Sequence, residues 1–133
     1  MPVEPIISVV DDDVSVREAV ESLIKSVGLK ARAFASAEAF LSANDAQATA
    51  CLILDVQMPG MSGLELQRQL TAAGYRIPII FISAHSNDRI RAQALEGGAV
   101  DFLFKPFSEA ALVDAVHAAL AHSQDGGCER DKG

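Results

Sequence analysis

The chain reads as an α/β domain, a doubly wound, five-stranded parallel sheet with helices on both faces. Three observations carry this reading. Short apolar runs alternate five times with stretches of helical periodicity, as in sheets built from strand–helix crossovers. Four of the five runs are continuously apolar, as strands buried on both faces must be. The chain has 133 residues and is 50% apolar, which is enough for one domain with one real core.

Each element has a local justification. Ile6 to Val10 (IISVV) is rich in β-branched residues and reads as a buried strand. From Val14 to Val27, residues Val16, Val20, Leu23, Ile24 and Val27 recur at helical spacing, and Gly28 is a C-terminal stop. Asp13 directly precedes this helix and suits its free amides as a cap. Leu29 to Phe34 alternates with Lys30 and Arg32, which predicts a strand with one wetter face at a sheet edge. Ser36 is placed to cap a short helix through Ala43. Ala50 to Leu54 is the third strand, followed by a helix over Gly63 to Ala73 with Leu66 and Leu70 on one side. Ile77 to Ile82 is the fourth strand, with Pro78 tolerable near its start. A weakly amphipathic helix over Asp88 to Glu96 stops at Gly97 and Gly98, with Ser86 or Asn87 as its cap. Ala99 to Phe104 is the fifth strand, and Ser108 to His122 is a helix with Leu112, Val113, Val116 and Leu120 in its stripe.

Residues 1–122 therefore form the expected domain. Residues 123–133 (SQDGGCERDKG) are polar and glycine-rich, and read as a flexible tail or the start of a linker. The net charge of −7 argues against direct nucleic-acid binding, which needs a basic face, and suits cations or a basic partner surface. No apolar run reaches the length of a bilayer span, and Met1 to Pro5 is too short and polar for a signal peptide. The expectation is a cytoplasmic protein without a membrane partner. Cys51 opens an apolar run and Cys128 lies in the polar tail, so no disulfide and no zinc-ligand spacing is expected.

Open parallel sheets bind ligands beyond the carboxyl ends of their strands. The first strand ends in Asp11, Asp12 and Asp13, the third in Asp55, the fourth in Ser83 and Ala84, and the fifth in Lys105. Several carboxylates, a hydroxyl and an ammonium thus converge on one edge. Clustered carboxylates raise one another's pKa unless a cation joins them. A hard divalent cation resolves the repulsion, and Mg²⁺ uses one or two carboxylates and commonly partners phosphate oxygens. Acid, metal, hydroxyl and ammonium together describe an aspartyl phosphate site with a carboxylate nucleophile. The histidines are scattered: His85 suits the site mouth, and His117 and His122 read as ordinary helix residues. Met58 and Met61 flank a Pro-Gly turn and read as loop packing.

The segments "VVDDD", "LDVQMPGMSG", "FISAH" and "FLFKPF", in this order and spacing, resemble the receiver domain of two-component response regulators over residues 6–121. "MPGMSGLEL" together with "GAVDFLFKPF" looks closest to the FixJ branch. The resemblance implies a flavodoxin-like (βα)5 fold with strand order 2-1-3-4-5. It implies Asp55 as phosphoacceptor, Asp12 as direct ligand of Mg²⁺ (Mn²⁺ as the alternative), Asp11 acting through water, and the Gln57 backbone carbonyl as a further ligand. Ser83 and Lys105 match the phosphate-binding hydroxyl and lysine, with a cis Lys105–Pro106 bond, and Phe102 matches the aromatic switch position. His85 and Ala84 fall on the site rim.

The same resemblance implies a phosphohistidine donor, either a sensor histidine kinase or a phosphotransfer protein, and a homodimer on phosphorylation. Such a domain catalyses its own phosphorylation and dephosphorylation and is not a conventional enzyme. Its output, through the face of the fourth helix, fifth strand and fifth helix, would include transcription where a DNA-binding domain follows. A haloacid-dehalogenase-type phosphatase needs an acid two residues beyond its nucleophile, where this chain has Gln57. A flavodoxin-like flavin site and a nucleotide P-loop both lack their phosphate loops here. The remaining alternative is a phosphorylation-independent adaptor that keeps the receiver fold.

Overall fold

The computed structural model describes residues 5–43, 46–84 and 88–132, with side chains through residue 121. Its strands are β1 (Ile6–Val10), β2 (Lys30–Phe34), β3 (Thr49–Asp55), β4 (Ile79–Ser83) and β5 (Asp101–Phe104). Its helices are α1 (Val14–Ser26), α2 (Ala37–Ser42), α3 (Gly63–Ala72), α4 (Asp88–Glu96) and α5 (Glu109–Lys132). All strand pairs are parallel, in the order β2-β1-β3-β4-β5. This is the expected flavodoxin-like arrangement, with the wetter β2 at an edge.

The ends of the elements differ from the expected ones for identifiable reasons. β3 runs on through Asp55, because the Val56 amide still donates to the Ile82 carbonyl at 3.0 Å. β4 begins at Ile79 because Pro78 has no amide to donate, although its carbonyl accepts from Leu52 at 2.9 Å. β5 begins at Asp101, two residues late, with the Val100 amide still bonded to the Ile79 carbonyl at 2.7 Å. α5 is assigned through Lys132, beyond the expected His122. A 3₁₀ turn at Ala46–Ala48 was not anticipated. The expected caps Ser86 and Asn87, and the side chains of His122 and Cys128, lie outside the described residues. Cys51 is buried, and burial pushes its thiol up to about 12, so it behaves as a small apolar residue. Among the described residues no helix is long and apolar enough to cross a membrane.

Strand side chains alternate between two cores. Ile7, Val9, Cys51, Ile53, Ile80 and Ile82 face α1 and α5, meeting Val20, Ile24, Leu112 and Val116. Val10, Leu52, Leu54, Phe81 and Phe102 face the other way, meeting Phe40, Leu66, Leu70 and Ala94 of α2, α3 and α4. Each core therefore carries a row of fully buried aliphatics, and the site sits where both rows run out.

α3 begins unusually close to the sheet. The Gly63 amide donates to the Val56 carbonyl at 2.9 Å, and a Cβ on Gly63 would stand 2.3 Å from the Asp55 carbonyl oxygen. That oxygen is main chain at the end of a buried strand and has nowhere to go. Gly63→Ala is expected to cost about 2 kcal/mol or more, a fall in Tm of about 7 °C. Urea or thermal unfolding checks this, and a variant as stable as the parent would contradict the close approach.

Candidate functional site

The register brings the chemistry together. Val10 pairs with Leu54, so Asp11 leaves the sheet beside Asp55. Asp55 pairs with Ile82, and Ser83 with Phe104, so Ser83 and Lys105 flank the same edge. The Lys105 amide donates to the Ser83 carbonyl at 2.7 Å. By alternation, Asp11, Asp55 and Lys105 continue the row facing α1 and α5. Ser83 and Phe102 continue the row facing α4.

Asp11 is 0% exposed and Asp55 is 5% exposed, while Asp12 lies open to solvent. One carboxylate oxygen from each of the three lies within 4.8 Å of the others. Lys105 Nζ donates to Asp11 Oδ2 at 3.0 Å and stands 3.7 Å from Asp55 Oδ2. The ammonium thus answers both buried carboxylates but bonds the deeper one. Burial, then the neighbouring Asp11 charge, pushes the Asp55 carboxyl up to about 7. The Lys105 charge and the Gln57 amide, which donates to Asp55, hold it back from rising further.

The donor set fits a hard divalent cation. It consists of carboxylate oxygens, two of them buried, and the nearest ammonium leaves them under-compensated. That is the demand Mg²⁺ or Mn²⁺ meets, and among the described residues the cluster offers a soft or nitrogen-loving metal no thiolate or imidazole.

The sequence expectations for Asp11, Asp12, Asp55, Ser83 and Lys105 all fall at this edge. Gln57 is exposed just beyond β3, Ala84 is exposed just beyond β4, and Lys105–Pro106 is cis. Asp13 caps α1, accepting from the Ser15 and Val16 amides at 2.9 and 3.4 Å. Met58 and Met61 pack into the core as loop residues. His117 is an exposed helix residue. His85 lies outside the described residues.

Phe102, which the resemblance matches to the aromatic switch position, packs on the face of the sheet that meets α2, α3 and α4. It is inside, 5% exposed, with its ring centroid 6.1 Å from that of Phe81. The aromatic nearer the sheet edge is the half-exposed one: Phe104 is 37% exposed, its centroid 5.3 Å from that of Phe102.

Four supporting residues escaped the sequence reading. Ser62 and Glu65 form a reciprocal capping box at the start of α3, and its signature, S-x-x-E, was present in "SGLE". Arg17 Nη1 donates to the Asp11 carbonyl at 2.8 Å and Glu38 accepts from the Met61 amide at 2.9 Å. Neither of these two contacts has a local signal, because each depends on how a helix lies against a loop.

An acidic trio with a lysine at the carboxyl edge of a 2-1-3-4-5 parallel sheet defines a receiver-type site. Residues 7–117 match the family described as response regulator receiver domain, and the chain belongs to that family. The response regulator protein TmoT of Ectopseudomonas mendocina is 50% identical over 117 residues, covering 88% of this chain and 53% of TmoT. The chain thus spans about half the length of the curated relatives it matches. Among solved structures, the response regulator StyR superposes with a TM-score of 0.88 at 43% identity, covering 98% of this chain and 66% of that one. FixJ-N superposes with a TM-score of 0.81 at 33% identity, covering 91% and 97%, in keeping with the FixJ resemblance.

The raised Asp55 pKa has a consequence for stability. Its folded value, about 7, lies above the ordinary 3.8, so between these the folded chain holds the proton more tightly than the unfolded one. Stability from this group is therefore lost as pH rises through that window. Without divalent cations at pH 7.5, Asp55→Asn should be more stable than the parent by about 1–2 kcal/mol, the full shift being discounted because the site opens to solvent. The corresponding Tm gain is about 4–7 °C. The gain should shrink at pH 5 and on adding Mg²⁺. A gain that is absent, or larger at pH 5, would contradict the assignment of the strain to Asp55.

Proposed function

We propose that this domain accepts a phosphoryl group from a partner's phosphohistidine onto Asp55, and that the modification controls an output. The observation that carries the proposal is the buried Asp55 carboxylate, within 4.8 Å of Asp11 and Asp12 and 3.7 Å from Lys105 Nζ. In the step, an Asp55 oxygen forms the new P–O bond as the P–N bond to the donor imidazole breaks. Asp55 must be ionised to attack. Lys105 neutralises charge on the transferring group, Ser83 offers a hydroxyl to a phosphoryl oxygen, and fixed positioning supplies most of the acceleration. Asp12, Asp11 through water, Asp55 and the Gln57 carbonyl would hold Mg²⁺, or Mn²⁺ in its place. When bound, the ion supplies the positive charge the acids lack and orients phosphoryl oxygens. Water then hydrolyses the acyl phosphate. The domain thus catalyses its own modification and its reversal.

The phosphate brings strong new acceptors. Ser83 moves toward it, and Phe102 shifts in response. Because Phe102 starts inside, this is a repacking of the Phe81–Phe102–Phe104 stack and not a swing in from solvent. α4 suits such a change: its one buried residue is Ala94, and Gln67 of α3 ties it through a bond from Nε2 to the Ala94 carbonyl at 3.1 Å. The face of α4, β5 and α5, with exposed Leu95 and Phe104, then meets a partner or a second copy of the chain. Residues 1–122 act as the receiver unit and 123–133 as the connection onward. We place the protein in the cytoplasm, its donor a sensor histidine kinase or a phosphotransfer protein, and transcription among its outputs through a further domain.

Acetyl phosphate with Mg²⁺ should label the protein once, as an acid-labile, hydroxylamine-sensitive acyl phosphate, and Asp55→Asn should abolish the label. Mass spectrometry reads this directly, and label persisting in the variant would sink the assignment. It would favour instead the adaptor that works without phosphorylation. Lys105→Ala should still bind Mg²⁺ but fail to pass the modification to the α4-β5-α5 face, seen as missing amide shift changes there. A full set of changes in that variant would remove Lys105 from the switch.

A further inference from the structure

The segment 57–62 joins Val56 to α3 and carries Gln57, whose amide donates to the Asp55 carboxylate. Its far end is secured where Ser62 caps α3 and Gly63 bonds Val56. Its crown, Pro59–Gly60–Met61, is held by a different part of the chain. The Met61 amide donates to Glu38 Oε2 at 2.9 Å. Gly60, with φ +79, runs so close beneath the same oxygen that a Cβ there would stand 2.7 Å from it. Glu38 belongs to the first turn of α2, a helix seated by its Ser36 cap and by buried Ala37 and Phe40. α2 supplies no residue to the acidic site, yet its carboxylate reaches over to the loop that forms one wall of it.

We infer that Glu38 is a positioning residue for cation binding, acting through the crown of the 57–62 loop. The inference rests on the reading of Gln57 and the three acids as the Mg²⁺ site. A glycine at the crown leaves the free loop many conformations. A carboxylate accepting a main-chain amide removes much of that freedom, because charged acceptors make the stronger hydrogen bonds. Without it, the loop must be ordered when the ion binds, and affinity falls by that cost. Glu38 is solvent-exposed, so the bond contributes little to global stability, and its loss should register at the site more than in the fold. Its charge alone has little reach, because exposed charges are screened over roughly 8–10 Å of salt solution.

The test is Mg²⁺ titration calorimetry of the wild-type chain, Glu38→Ala and Glu38→Gln, with amide hydrogen exchange of Met61 followed by NMR. Glu38→Ala should weaken Mg²⁺ binding roughly threefold to tenfold and speed Met61 exchange. Glu38→Gln keeps a carbonyl acceptor, weaker because it is uncharged, and should fall between wild type and Glu38→Ala in both readouts. Wild-type affinity in Glu38→Ala overturns the inference while leaving the phosphoacceptor site intact. Equal losses in the two variants overturn it too, since charge and not the bond would then be responsible. A wild-type chain that binds no Mg²⁺ overturns the inference and the reading of the site together.

Discussion

The organisation of this domain turns on two buried carboxylates, Asp11 and Asp55, that share one lysine. Their separation is set by main-chain pairing between β1 and β3, so they cannot relax apart without breaking the sheet. Lys105 reaches both, but bonds Asp11 at 3.0 Å and lies 3.7 Å from Asp55. The fold thus holds a negative charge it only partly compensates. Burial first, and then that deficit, makes Asp55 basic for a carboxylate, and the uncompensated charge prepares the edge for a cation and an incoming phosphoryl group. Stability is given up at the place where function needs charge, a common arrangement in active sites.

Alternation along the strands separates chemistry from response. One row of side chains ends in the acids and the lysine, above α1 and α5. The other ends in Ser83 and Phe102, against α4 and β5. In the proposed switch, a phosphoryl group on Asp55 would draw on Ser83 across the boundary between the two rows. The signal would then travel through packed rings, from Phe102 to the half-exposed Phe104, toward a helix that buries little of itself. The loops that complete the site are held from outside the sheet, by Arg17 on the Asp11 carbonyl and Glu38 on Met61.

Much of this was legible in the sequence, because the strand ends are where apolar runs stop and polar or charged residues begin. Asp11, Asp55, Ser83 and Lys105 each follow such a run. The Asp13 and Ser36 caps and the edge position of β2 were readable for similar local reasons. The packing state of Phe102 was not, since a sequence says which face a strand residue takes but not how far the neighbouring helix covers it. Arg17 and Glu38 were invisible because their contacts depend on how a helix lies against a loop, which no local pattern of residue types records.

The account stands on Asp55 being a buried and under-compensated carboxylate, and the ionisation of that side chain tests this most directly. The Asp55 carboxyl carbon, followed by NMR through a pH titration of the cation-free protein, should show a midpoint near the value of about 7 that its surroundings dictate. With saturating Mg²⁺ the midpoint should fall by at least about one pH unit, because the ion favours the ionised form. A midpoint near 3.8 in the cation-free protein, or one that Mg²⁺ leaves unmoved, would contradict the account.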